Sequence, residues 1–329
     1  MEMQHTASTS QATSSQNHIP VADAAKVAIL ICTYNGECFL KEQLDSLIRQ
    51  THKNWTIYAS DDGSSDKTLQ ILQQYQAKLG ADRLFILEGP RKGFGKNFLS
   101  LVNNLEIAAD YFAFGDQDDV WHDDKLKRSI SSLNSCKTKS PSLYCSRTRL
   151  VDTNGQPTGY SPLFTKEPGF RNALVQSIAG ANTMLINKPA RELMQQVDGR
   201  ATVVAHDWLA YLLVSGCGGE VVYDAEPTLD YRQHGGNLIG ANANFKNQIS
   251  RFRKMLTGRF KEWTSKNLEA LDSVKQHLTT ENEQRLRDFE LARRSGLLTR
   301  FRLMKRTGVY RQTLKGNISL GIAIVFNKI

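Results

Sequence analysis

Residues Ala113–Trp121 read AFGDQDDVW. The apolar run Tyr111-Phe112-Ala113-Phe114 has the composition of a buried strand, and it stops at Gly115. Asp116, Gln117, Asp118 and Asp119 follow at once. Carboxylates this close repel one another, and they seldom crowd the end of a buried strand without a cation or a tight turn to satisfy them. Asp116 and Asp118 are two apart, so continued strand geometry puts both on one face. Two hard oxygen ligands suit Mg²⁺ or Mn²⁺, which keep waters and accept a substrate's phosphate oxygens. The other reading is an acidic loop that caps the next helix, with Asp118 or Asp119 near its N-terminus.

Upstream, Lys26–Thr33 (KVAILICT) is nearly all apolar, as a strand covered on both faces should be. It ends at the turn signal Tyr34-Asn35-Gly36. Leu40, Leu44, Leu47 and Ile48 then recur at helical spacing. Trp55–Ser60 reads as the next strand and ends at Asp61-Asp62-Gly63, with Ser65 as the expected N-cap of a following helix. Leu84–Leu87 reads as a third strand and Gly93–Ala109 as a helix. Alternation of this kind predicts a mostly parallel α/β sheet flanked by helices. Ligands bind such sheets at the carboxyl ends of the strands, where all three polar clusters fall.

From Ser142 to Tyr231 shorter strands are expected at Leu143–Ser146, Thr183–Asn187 and Glu220–Tyr223, with helices at Pro189–Val197 and His206–Val214. Past Asn242 the pattern is helical and basic, with Phe252, Met255, Leu256, Phe260 and Trp263 as one apolar set. Residues 245–329 hold 19 basic against 7 acidic side chains, whereas the rest of the chain is slightly acidic. The net charge of +9 therefore belongs to the C-terminal quarter and points to an anionic partner surface, membrane lipid or nucleic acid. The five scattered cysteines form no CxxC pair, which argues against a disulfide framework or a zinc site and fits a reducing cytosol. Residues 1–25 lack the apolar core of a signal peptide and read as a disordered polar tail. No run approaches the roughly 20 apolar residues that span a bilayer, so a cytoplasmic protein is expected, either soluble or peripheral on the inner face of the plasma membrane.

Taken in order, ILICTYNG, ASDDGSSDKT, FGDQDDVW, HDWL and YRQHGGN resemble the motif series of the family 2 glycosyltransferases, whose fold is GT-A. The series is most similar to the bacterial rhamnosyltransferase-like branch. It covers Lys26–Gly240, giving a catalytic domain at 26–241 and a basic helical extension at 242–329. The set is specific as a set; any one member is weak.

The resemblance assigns the edge of a nucleotide base to Thr33, Asn35 and Asp62, beside Tyr34, with Asp61 as an alternative to Asp62. Asx-turn chemistry is the competing reading of that stretch. Lys96, in the glycine-rich segment Arg91–Asn97, and Gln117 fall on the donor side. Asp118 is the implied metal ligand, with Asp116 toward the donor's ribose or sugar. Arg232 and His234 are expected on the diphosphate, His234 also as a metal ligand. Trp121, Asn182, His206 and Trp208 are expected on the sugar or acceptor side. The family's usual Glu-Asp pair is here His206-Asp207, which leaves Asp207 as the base that takes the acceptor hydroxyl's proton. One direct displacement then predicts inversion at the anomeric carbon.

The expected activity is metal-dependent transfer of a sugar, with L-rhamnose as a candidate, from a dTDP- or UDP-sugar. The acceptor is a surface polysaccharide or a lipid-linked glycan, and the basic C-terminal helices are candidates for peripheral membrane contact. The rivals are a nucleotidyltransferase of similar fold, whose glycine–lysine signature ICTYNG lacks, and a basic nucleic-acid-binding protein. The latter leaves the acidic cluster unexplained, so no nucleic-acid partner is expected.

Overall fold

A computed structural model describes residues 24–134, 140–198, 203–234 and 259–329. The polar tail before Ala24, Phe252, Met255, Leu256 and the Gly235-Gly236-Asn237 stretch lie outside the described residues. The first four strands are β1 (Val27–Thr33), β2 (Trp55–Asp61), β3 (Leu84–Glu88) and β4 (Tyr111–Gly115). Then come β5 (Val120–Trp121), β6 (Ser142–Ser146), β7 (Arg149–Val151), β8 (Pro157–Tyr160), β9 (Leu185–Asn187), β10 (Glu220–Asp224) and β11 (Leu229–Arg232). The main sheet has seven strands in the order β10-β6-β9-β4-β1-β2-β3. Its pairs are parallel except where β9 runs against β4 and β6.

The period of two along β1 explains why nearly every residue in it is apolar. Val27, Ile29 and Ile31 enter one core, while Ala28 and Leu30 enter the other. On the first face lie α1 (Leu40–Ile48), α2 (Thr68–Leu79) and α4 (Lys125–Asn134), presenting Leu44, Leu72 and Ile130. On the second lie α3 (Phe94–Asn103), the short α5 (Phe170–Ala173), α6 (Lys188–Gln195) and α7 (His206–Gly216). The C-terminal helices α8 (Arg259–Asp272), α9 (Thr280–Arg294), α10 (Leu297–Thr307) and α11 (Leu314–Val325) extend that second core with Leu271, Phe289, Met304 and Ala323. None of the helices among the described residues is long and apolar enough to cross a membrane.

Two boundaries differ from those the periodicity predicts. α3 stops at Asn103, not Ala109: Asn104 is extended, and its side chain accepts the Glu106 amide at 3.0 Å. Arg191 of α6 reaches the freed carbonyls of Val102 at 2.8 Å and Ile107 at 2.6 Å, so a tertiary donor replaces the last helical turn. The start of α2 is held by Asp66, not Ser65, through the Thr68 amide at 2.9 Å. A second sheet, β5-β11-β7-β8, was not legible as such, because its strands are two to four residues long. In it β5 runs antiparallel to β11, with Leu229 opposite Trp121.

Candidate active site

The carboxyl ends of β1, β2 and β4 lie together on one edge of the sheet, with Thr33 paired to Asp61 and Ile31 to Gly115. Thr33 Oγ1 donates to Asp61 Oδ2 at 2.8 Å, and Asp61 also accepts the Ser64 amide at 2.8 Å and the Ser64 hydroxyl at 2.5 Å. Asp61 is thus a buried brace between two strand ends. Asp62, half-buried, accepts the amides of Arg91 at 2.6 Å and Gly93 at 2.7 Å, one on each carboxylate oxygen. It holds the loop that leads into Lys96, which is half-buried in the first turn of α3. A carboxylate has about four lone-pair sites, so Asp62 keeps capacity for a further donor. Asn35 sits at φ 47° and accepts the Ser65 amide at 2.8 Å.

The acidic loop is tied to the end of β1 by a reciprocal pair. The Tyr34 amide donates to Gln117 Oε1 at 2.9 Å, and Gln117 Nε2 donates to the Tyr34 carbonyl at 3.0 Å. Gln117 is therefore the clamp of the loop, and the exposed Tyr34 ring stands free of that pairing. A Cβ on Gly36 would run into the Gln117 amide, which would have to shift out of this pairing.

Asp118 meets His234 across the mouth of the site, Oδ2 to Nε2 at 2.7 Å. The small sheet brings them together: β5 leaves the acidic loop, β11 pairs with it, and β11 runs straight on to His234. A cavity of about 220 Å³ opens there, lined by Asn35, Gly36, Cys38, Phe39, Gln117, Asp118 and His234. Burial, then the charges of Asp118 and Asp207, push the Asp116 carboxyl up to about 7. Among the described residues no group of three or more His, Cys, Asp or Glu side chains is placed to hold a metal ion. The Asp118 oxygen and the His234 nitrogen, hydrogen-bonded to each other, are the donor types that an open Mg²⁺ or Mn²⁺ site completed by substrate and water would use.

Asp207 lies in the first turn of α7, where Ala205 at the N-cap offers no side-chain cap. Its Oδ1 accepts the Trp208 amide at 2.6 Å. Burial raises its pKa to about 6, against the opposing pull of the backbone amides of Trp208 and Asp207.

Several expected contacts are corrected by burial. Trp121 is 1% exposed and lies under Lys125, so it fills core and does not reach a sugar. Trp208 is buried with its indole N–H on the Ala173 carbonyl at 2.7 Å, and it packs edge-on against Trp263. His206 stacks on Phe98 at 4.1 Å with both ring nitrogens unpartnered, and burial holds it neutral with a pKa near 3. Its imidazole belongs to the aromatic core, not to the acceptor side. Arg232, 2% exposed, donates to the Asp118 carbonyl at 3.2 Å, the Thr153 carbonyl at 3.0 Å and Glu42 at 2.5 Å. It shapes the backbone of the acidic loop from a position almost wholly out of solvent.

Asn182 is likewise buried, and it donates to Asp119 at 2.6 Å. Asp119 itself is fully buried, and burial with the neighbouring Asp116 and Asp118 charges holds its pKa well above the ordinary range. Lys125, also fully buried, donates to the Thr183 carbonyl at 3.1 Å, and burial lowers it to about 7. Sequence reading missed this support behind the loop. Asp119 was visible in the acidic run, but Lys125 sits among exposed-looking charges at Asp123–Arg128 that carry no sign of burial.

A model for the family "Glycosyl transferase family 2" matches residues 28–191. Over 253 residues the chain is 31% identical to the dTDP-rhamnosyl transferase RfbG of Shigella flexneri, covering 73% of this chain and 84% of that protein. It is 26% identical to the putative teichuronic acid biosynthesis glycosyltransferase TuaG of Bacillus subtilis, over 56% of this chain and 71% of that one. Among solved structures, S. aureus TarS 1–349 in complex with UDP-GlcNAc superposes with a TM-score of 0.51 at 18% identity, over 77% of this chain and 72% of that chain.

Proposed function

Since the chain belongs to glycosyltransferase family 2 and has the GT-A fold, we propose that this glycosyltransferase moves a sugar, L-rhamnose first among candidates, from a dTDP- or UDP-sugar onto a cell-envelope glycan or its lipid-linked precursor. The observation that carries the reading is the meeting of Asp118 and His234, 2.7 Å apart, with the charges of Asp118 and Asp207 both acting on Asp116. Such a concentration of carboxylates is costly unless a cation offsets it, and a bound cation in turn attracts phosphate oxygens. The likeness to RfbG supports the dTDP-rhamnose choice.

In this reading Asn35 and Asp62 meet the base, Thr33 braces Asp61 beneath them, and Asp116 meets the ribose or sugar. Asp118 and His234 are the residues that would hold Mg²⁺ or Mn²⁺. That cation, when bound, neutralises charge on the leaving diphosphate. Asp207 takes the proton of the acceptor hydroxyl as its oxygen bonds the anomeric carbon and the bond from that carbon to the diphosphate oxygen breaks. The product is inverted and no covalent enzyme intermediate forms. Arg232 and Gln117 keep the acidic loop in register while this happens.

The test is donor hydrolysis across a panel of nucleotide sugars, with and without Mn²⁺ or Mg²⁺, for wild type and Asp118→Ala. The expected result is slow, metal-dependent release of one nucleoside diphosphate that the substitution abolishes. Absence of any nucleotide-sugar or nucleoside-diphosphate binding with metal present would overturn the reading.

A further inference from the structure

The far end of the C-terminal helices carries a surface that the transfer chemistry does not use. Along α11, Leu314, Ile318 and Val325 recur on one side and are exposed, Leu314 at 77%, while Leu320, Ala323 and Ile324 on the other side are buried. Phe326 at 63% and, on α10, Leu298 at 86% and Phe301 at 46% are exposed apolar side chains as well. Arg300 joins the two helices by donating to the carbonyls of Ile324 at 3.0 Å and Val325 at 3.3 Å. Exposed apolar area of this kind marks an interaction surface.

Charge identifies the partner. Leu291–Ile329 contains nine Lys and Arg residues and not one Asp or Glu. Arg294, Arg302, Lys305 and Lys315 are exposed, and none of them meets a carboxylate among the described residues. We propose that α10 and α11 dock the protein on an anionic lipid bilayer, with the apolar stripe in the acyl boundary and the unopposed cations on the headgroups. A second copy of the chain is a poor occupant, because an isologous contact would set these cations against their own images. Nucleic acid would match the charge but leave the leucine, isoleucine and phenylalanine side chains in water.

This inference is independent of the donor chemistry, so the two fail separately. The experiment is flotation of the full chain with phosphatidylglycerol–phosphatidylcholine vesicles and with phosphatidylcholine alone. Leu298→Glu/Ile318→Glu and Arg302→Glu/Lys315→Glu are compared with wild type. Wild type is expected to float with the anionic vesicles and to be released by high salt. Each double variant should partition roughly tenfold less, with melting temperature and donor hydrolysis unchanged, since the substituted side chains are exposed. No flotation of wild type, equal flotation of both variants, or loss in the variants of a concentration-dependent dimer in place of lipid binding would each overturn it.

Discussion

At Asp207 a helix start and a buried setting produce one carboxylate with a pKa near 6. The shift is upward, so the group is protonated, and useless as a base, below that value. Turnover should therefore fall as pH drops through about 6 and level off above it, in a kcat–pH profile taken at saturating acceptor. Asp207→Asn should cost about 10²–10⁴-fold in kcat with the circular dichroism spectrum unchanged. His234 tests the other side of the site. His234→Ala should raise the Mn²⁺ concentration needed for half-maximal turnover by about 10–100-fold, read by metal titration, while excess metal restores part of the rate. By contrast His206, its neighbour in motif to Asp207, should respond as a core residue. His206→Phe is expected to keep the pH profile of the wild type, because the ring already lies unpartnered among Phe98 and Phe114.

The elements matter through how they fasten one loop. Asp116–Asp119 is gripped by β1 through Gln117, by β11 through Arg232 and from behind by Asn182. Arg149 and His122 converge on Asp230 at 2.6 Å and 2.9 Å and stiffen β11 where it turns toward His234. Gly36→Ala should displace the Gln117 clamp without entering a helix or a strand. The expected result is a loss of about 10²-fold in kcat/KM, since catalytic geometry tolerates little misplacement, with only a small change in melting temperature. An unchanged kcat/KM would mean that the clamp does not govern the loop.

At the scale of the molecule, the basic extension is not an appendage. Phe289 and Leu271 share one core with Leu30, Phe114 and the whole apolar side of α7. Phe289→Ala should destabilise the protein by about 3–5 kcal/mol, and calorimetry should still record a single transition. Two separate transitions would show that the C-terminal helices fold on their own. The shared core also means that deleting these helices tests folding before it tests any surface they carry.

The alternating apolar runs and the polar clusters at their ends were enough to specify the parallel sheet and its functional edge. A strand covered on both faces must be apolar throughout, and the ligand edge of such a sheet lies where those runs stop. Asp118 and Asp207 stood out as candidates for the same reason, as charges placed where a buried element begins or ends. Trp121, His206, Trp208 and Arg232 were misplaced because a motif fixes a residue's position along the chain and not its exposure. Burial depends on which distant elements pack over it, and here those are α3, α5, α8 and the small sheet. The meeting of Asp118 with His234, 116 positions apart, rests on a pairing of two-residue β5 with four-residue β11. Strands so short carry almost no periodic signal, so only the tertiary structure could bring the two halves of the site together.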